Sequence, residues 1–173
     1  YIIMKKLIKL TLVAVLLLSS TSLFAQKMGR INSQELISLM PETAQMQTDL
    51  QAYATELNAQ IEEVQVELNN AINDFQKKQA TMKDLERQVA EKNLNDINTR
   101  LEQFRQVASE DFSKKQQELF TPIQEKAMAA IEKVSKAGGY AVVIDLAAGS
   151  MIYIDEAQVT DLLPAVKAEL GIK

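Results

Sequence analysis

Between Pro41 and Pro122 the chain runs through 80 residues without a glycine or a proline. An average globular helix has about 11–12 residues, so a breaker-free stretch of this length commits most of the chain to exceptionally long helix. Its apolar residues recur at steps of three and four: Leu50, Tyr53, Leu57, Ile61, Val64, Leu68, Ile72 and Phe75, then Met82, Leu85 and Val89. The series resumes at Leu94, Ile97, Leu101, Phe104 and Ala108, and continues less regularly through Phe112, Leu119, Ile123, Ala127, Ile131 and Val134. A spacing of about 3.5 residues gives each helix one narrow apolar seam, the pattern of a coiled coil.

A single helix over residues 42–136 would be about 140 Å long and would hold the two ends of the chain apart. Both ends carry short strand-like segments that need partners, so a hairpin is the better reading. Asn93, Asn95 and Asn98 lower helix propensity near the middle and place the expected turn within residues 84–95. Charge favours the same arrangement. Residues 31–76 hold eight acidic residues and no Lys or Arg, whereas residues 77–136 hold twelve basic and ten acidic ones. Folding one arm onto the other sets unlike charges along the seam, each pair contributing a few tenths of a kcal/mol.

The fold class expected is mainly α with a small β body, from which a long antiparallel coiled-coil hairpin projects. Residues 26–41 form the first part of the body, with a strand at 27–32 and a helical turn from Ser33 and Glu35 that Pro41 ends or kinks. Residues 42–137 form the arm. Residues 138–173 complete the body, because Gly138-Gly139 supplies a left-handed helix stop and Tyr140 to Leu146 reads as a strand. Ala147 to Ser150 then turns, Met151 to Ile154 returns as another strand, and Thr160-Asp161 caps a final helix through Leu162, Leu163, Val166 and Leu170. So small a body cannot bury enough apolar surface to support arms of about 65 Å, and sharing strands with further copies would close its edges.

Residues 1–25 read as a signal peptide. Lys5, Lys6 and Lys9 precede the nine-residue apolar run 10–18, too short for the roughly 20 residues a membrane span needs, and Phe24-Ala25-Gln26 suits cleavage after Ala25. Residues 1–3 stand upstream of a plausible start at Met4. Without those three lysines the chain has 16 basic and 23 acidic residues, net −7, which argues against a nucleic-acid partner. His and Cys are both absent, so the commonest general base, the thiolate nucleophile and most transition-metal ligands are missing. Adjacent carboxylates at Glu62-Glu63 and Glu110-Asp111 diverge by about 100° on a helix and read as solvated faces. The expectation is a non-enzyme without catalytic, cofactor or metal residues.

Two groups of residues could meet a partner. Lys77, Lys78, Lys83, Arg87 and Lys92 make residues 77–92 locally positive against Asp84, Glu86 and Glu91, and could capture anionic surfaces or acidic segments. Ordinary solvation with internal ion pairs is the plainer account. Off the seam, Met82 and Phe112, with Val66 and Val107, could make weak apolar contacts with a partner, since Met in particular adapts to many surfaces. Simple packing is the competing account.

The opening Met28-Gly29-Arg30-Ile31-Asn32-Ser33-Gln34-Glu35 and Met40-Pro41-Glu42, with the closing Gly138-Gly139-Tyr140-Ala141-Val142-Val143-Ile144-Asp145, resemble the Skp/OmpH family of periplasmic chaperones. Met151-Ile152-Tyr153-Ile154-Asp155 and Val159-Thr160-Asp161-Leu162 follow in that family's order. The resemblance implies a jellyfish-shaped homotrimer whose arms enclose a cavity for unfolded outer-membrane β-barrel proteins in the periplasm, holding them from aggregation without ATP or any cofactor. The basic surface through which family members are thought to attract anionic lipid or lipopolysaccharide is not matched by this acidic chain. A structural adaptor or spacer of the cell envelope would share the periodicity and the leader.

Overall fold

The computed structural model describes residues 27–149 and 151–172. The signal peptide expected over residues 1–25 lies outside them. Strand β1 (Lys27–Ile31) is followed by helix α1 (Ser33–Leu39), the long helices α2 (Pro41–Lys78) and α3 (Asp84–Gly138), and strand β2 (Tyr140–Asp145). A 3-10 turn at Leu146–Ala148, strand β3 (Val159–Asp161) and helix α4 (Leu163–Leu170) complete the chain.

The helices begin and stop where elementary chemistry allows. Asn32 caps α1 by accepting a hydrogen bond from the Glu35 N–H. Pro41 opens α2, where its missing N–H costs no helical hydrogen bond and its fixed φ suits the first turn. Gly139 ends α3 at φ 69°, a left-handed conformation that glycine adopts without the usual Cβ penalty. At 38 and 55 residues, α2 and α3 are about 57 and 83 Å long.

The two long helices lie side by side. Hydrogen bonds or ion pairs join Glu42 to Lys126, Gln65 to Arg105 and Glu67 to Arg100, so positions rise along α2 as they fall along α3. In both ion pairs the acid comes from α2 and the base from α3. The helices are separated at residues 79–83, before the 84–95 window expected from the Asn cluster. The three asparagines all lie within α3, because neighbouring seam residues outweigh their few tenths of a kcal/mol of propensity.

The sheet is three-stranded, in the order β2-β1-β3, with both pairs parallel. That corrects two expectations. Met151 to Ile154 is not a strand within this chain, and Thr160-Asp161 belongs to β3 rather than preceding a helix directly. A returning hairpin would have been antiparallel. Instead β3 runs parallel to β1 on its second edge. Asp161 still aids the helix start, accepting from the Leu163 N–H at 3.0 Å.

The principal core joins body and arm base: Leu36 and Met40 from the α1 region, Ile123, Ala127 and Ile131 from α3, and Leu162 and Val166 beside α4. A second cluster, Leu68, Ile97 and Leu101, lies far along the arm. Close packing explains Gly29 in β1, since a Cβ there would come within 2.9 Å of Leu162 Cδ1.

Asp145 ties the end of β2 to the start of α1. Its carboxylate accepts from the Ser33 Oγ at 2.6 Å, and from the N–H groups of Ser33 and Ala147, both at 3.0 Å. Burial pushes its pKa up, but these hydrogen bonds outweigh burial and hold it below the ordinary carboxylate value. A carboxyl whose pKa is depressed by folding contributes stability above its unfolded value and loses it as pH falls through the folded value. Asp145→Asn should therefore be less stable than the parent at pH 7. In urea titrations the difference from the parent should shrink below about pH 4; a difference unchanged down to about pH 2 would contradict this.

Candidate functional site

The distal end of the arm gathers the predicted cations. Lys77 and Lys78 lie in the last turn of α2, Lys83 immediately precedes α3, and Arg87 lies in the next turn. The turn closes through the Met82 N–H on Lys78 O at 3.2 Å and the Lys83 N–H on Glu86 Oε2 at 3.0 Å. Arg87 Nη2 donates to Gln79 O at 3.3 Å, placing positive charge on the carbonyl end of α2. Lys92 stands further down α3 and pairs with Asp96 at 2.6 Å, while Lys78 is 3.9 Å from Asp74. Part of the cluster thus serves the turn and local pairs, and its long side chains remain largely in solvent.

Met82 is half-buried and lines a groove at the tip with Ala71, Phe75, Ala90 and Leu94. Phe112 is also half-buried, in an open groove of about 300 Å³ between α2 and α3 with Ala54, Leu57, Ile61 and Ala108. Both residues contribute to packing between the helices. Val66 and Val107 are exposed.

Leu85 and Val89, which periodicity assigns to the seam, are 73% and 62% exposed. They lie in the first two turns of α3, one helical turn apart, and the seam is taken up only from Ala90 and Leu94 onward. They add an apolar face beside Arg87 that spacing alone does not distinguish from core.

The body carries further exposed apolar residues. Ile152 is fully exposed and Tyr153 is 79% exposed; Met28, Val142, Leu146 and Met151 are also exposed. The segment holding Ile152 and Tyr153 is bounded by the 3-10 turn and by Glu156, whose carboxylate pairs with Arg30 of β1 at 3.0 Å.

At the arm base, Lys126 holds Glu42 below the ordinary carboxylate range through a side-chain hydrogen bond, aided by the backbone, against slight desolvation. Lys136 lowers Glu132 through a side-chain hydrogen bond and its positive charge on the exposed face of α3.

A small sheet with this long helical pair is shared with known proteins. The family described as outer membrane protein (OmpH-like) matches residues 27–170, both halves of the body and the entire arm. The chain belongs to the OmpH-like family. A crystal structure from Caulobacter crescentus, provisionally described as an outer membrane chaperone (OmpH-like), resembles this OmpH-like chain with a TM-score of 0.70. The likeness covers 83% of this chain and 82% of that one at 16% identity, so fold is retained where most side chains differ. No curated protein matches the sequence. Among the described residues of this OmpH-like protein, no helix is long and apolar enough to cross a membrane.

Proposed function

We propose that this OmpH-like chain is an ATP-independent periplasmic holdase that keeps unfolded outer-membrane β-barrel proteins from aggregating, in a cavity between the arms of a homotrimer. The observation that carries the reading is the division of the molecule into a small body with an uncovered apolar surface and a long arm. An arm whose seam is satisfied by its own two helices, bearing exposed Val66, Leu85, Val89 and Val107, offers many weak contacts in place of one pocket. Such contacts suit clients that share only exposed apolar segments. The cations at the tip add attraction to acidic segments at short range, screened beyond about 8 Å at physiological ionic strength. Release requires no nucleotide: a client that folds into the membrane withdraws the surfaces being held.

Aggregation of a urea-denatured outer-membrane β-barrel, diluted into buffer and followed by light scattering, tests the reading. Scattering should fall to near baseline at about one trimer per client without ATP. Unchanged aggregation at several-fold excess of trimer would overturn the holdase and favour a structural role in the cell envelope.

A further inference from the structure

Arg30 occupies an unusual place for an arginine. It lies in β1, the central strand of the sheet, between Gly29 and Ile31. Gly29 faces the core, where Leu162 and Val143 close over it, and Ile31 is buried in the same core. Alternation along the strand therefore turns Arg30 to the opposite face of the sheet. The parallel registers set Ile144 of β2 and Asp161 of β3 level with it. Its side chain is only 22% exposed, and its Nε is buried with no acceptor among the described residues. A guanidinium drawn this far out of water depends on the donors that do find a partner. Asp161 commits its carboxylate to the Leu163 N–H, and the ion pair forms with Glu156 instead, Arg30 Nη1 to Glu156 Oε1 at 3.0 Å.

That pair joins two parts of the body that are held very differently. Arg30 is fixed, with strands on both sides and its carbonyl accepting from the Leu162 N–H at 2.9 Å. Glu156 is 74% exposed and belongs to a tight turn. Asp155 builds this turn by accepting from the Ala157 N–H through its carboxylate and from the Gln158 N–H through its carbonyl, both at 3.0 Å. Directly before the turn, residues 151–154 make no hydrogen bond to another described residue, and they include the exposed Ile152 and Tyr153. A segment without bonds of its own has many orientations, and fixing one of them on binding opposes association; a segment already fixed binds more tightly with no new contact.

We infer that Arg30 is a positioning residue for self-association: through Glu156 it holds the 155–158 turn against the sheet, and so presents residues 151–154 to a second copy of the chain in one orientation. The inference rests on the homotrimer reading above and assigns part of the assembly to a charged pair, where apolar exposure alone points to Ile152 and Tyr153. Every copy carries the pair, so its effect multiplies. A loss of about fivefold per copy becomes about tenfold in the concentration at which half of a trimer has separated.

Dilution series followed by sedimentation velocity test this on the full chain. Arg30→Met, which removes the charge and keeps an unbranched stem, should raise the half-dissociation concentration about tenfold. Glu156→Gln should act similarly, and because Glu156 is exposed it tests the same contact without a substitution in the sheet. Arg30→Lys keeps the cation and should stay within about threefold of the parent. The two residues act through one contact, so Arg30→Met combined with Glu156→Gln should be no weaker than either alone. Below the dissociation concentration, the Ala157 and Gln158 amides should exchange at least about fivefold faster in Arg30→Met than in the parent, with residues 123–131 of the core unchanged. Single variants that separate at the parent's concentration would overturn the inference. So would a double variant that assembles more tightly than the parent, since the pair would then only oppose assembly by its burial. A parent that is monomeric at every concentration would remove the trimer itself and this role with it, an outcome that mass alone distinguishes from a trimer indifferent to Arg30.

Discussion

Leu36→Ala should lower the stability of the body by about 2–5 kcal/mol, the range for removing a fully buried leucine from a core that cannot collapse around the gap. Leu36 has no exposed surface and lies among Met40, Ile123, Ala127, Leu162 and Val166, drawn from separate parts of the chain. No neighbouring side chain can fill the space without shifting an element that another contact fixes. Against a total of about 5–15 kcal/mol for an ordinary domain, such a loss removes a large share of the stability. Leu85→Ala is the internal control: the same chemical change at a side chain 73% exposed should cost less than about 0.5 kcal/mol. Urea titrations followed by far-ultraviolet circular dichroism would compare the two. Equal midpoints for both variants would mean that α1 is not integral to the body.

That contrast also marks how far the sequence can be read. The breaker-free stretch and Gly139 as a stop act locally, and a chain with those residues at those positions has few other conformations open to it; Pro41, read as the end of the first short helix, also opens the long one. The charge asymmetry is equally legible, and the Glu42–Lys126 and Glu67–Arg100 pairs join an acid from one helix to a base from the other. Asparagine content misplaces the turn because it is a weak signal. The better one is charge order: Lys77 and Lys78 complement the end of one helix dipole and Asp84 with Glu86 the beginning of the next, leaving residues 79–83 between.

Apolar spacing is blind to what stands opposite. Leu85 and Val89 continue the three-four rhythm past the turn, where α2 no longer provides a facing surface. Met151 to Ile154 likewise has the β-branched and aromatic composition of a strand, but pairing depends on which edge of the sheet remains free. Within one copy β1 already has β2 and β3 on its two sides. Among the site candidates, a run of like charges reveals the tip cations. The exposed body surface escapes sequence reasoning as a site because its residues read equally well as core.

Replacing Ile152 and Tyr153 together by Asp should convert the proposed trimer to monomers. The two side chains are the most exposed large apolar residues of the described chain, and full burial of each would contribute about 1.5–3 kcal/mol per copy. Val142 of β2 and Leu146 just after it are exposed as well, and the outer edge of β2 has no strand partner among the described residues. A free edge and an unpaired apolar segment on one small body invite reciprocal coverage between copies, and a repeated head-to-tail contact closes into a ring when its rotation allows. Two carboxylates at that seam must be desolvated without partners, at several kcal/mol each, which is enough to dissociate an assembly of three weakly bodied chains. Mass from light-scattering chromatography should fall about threefold, with helix content by circular dichroism retained because the arm satisfies its own seam. Holdase activity should fall with it, since a lone arm encloses nothing and loses the multivalent gain, about a hundredfold or more in effective affinity. A variant that keeps the parent's mass would place the contact elsewhere on the body, whereas a monomer that still suppresses aggregation at the parent's stoichiometry would remove the enclosed cavity from the mechanism.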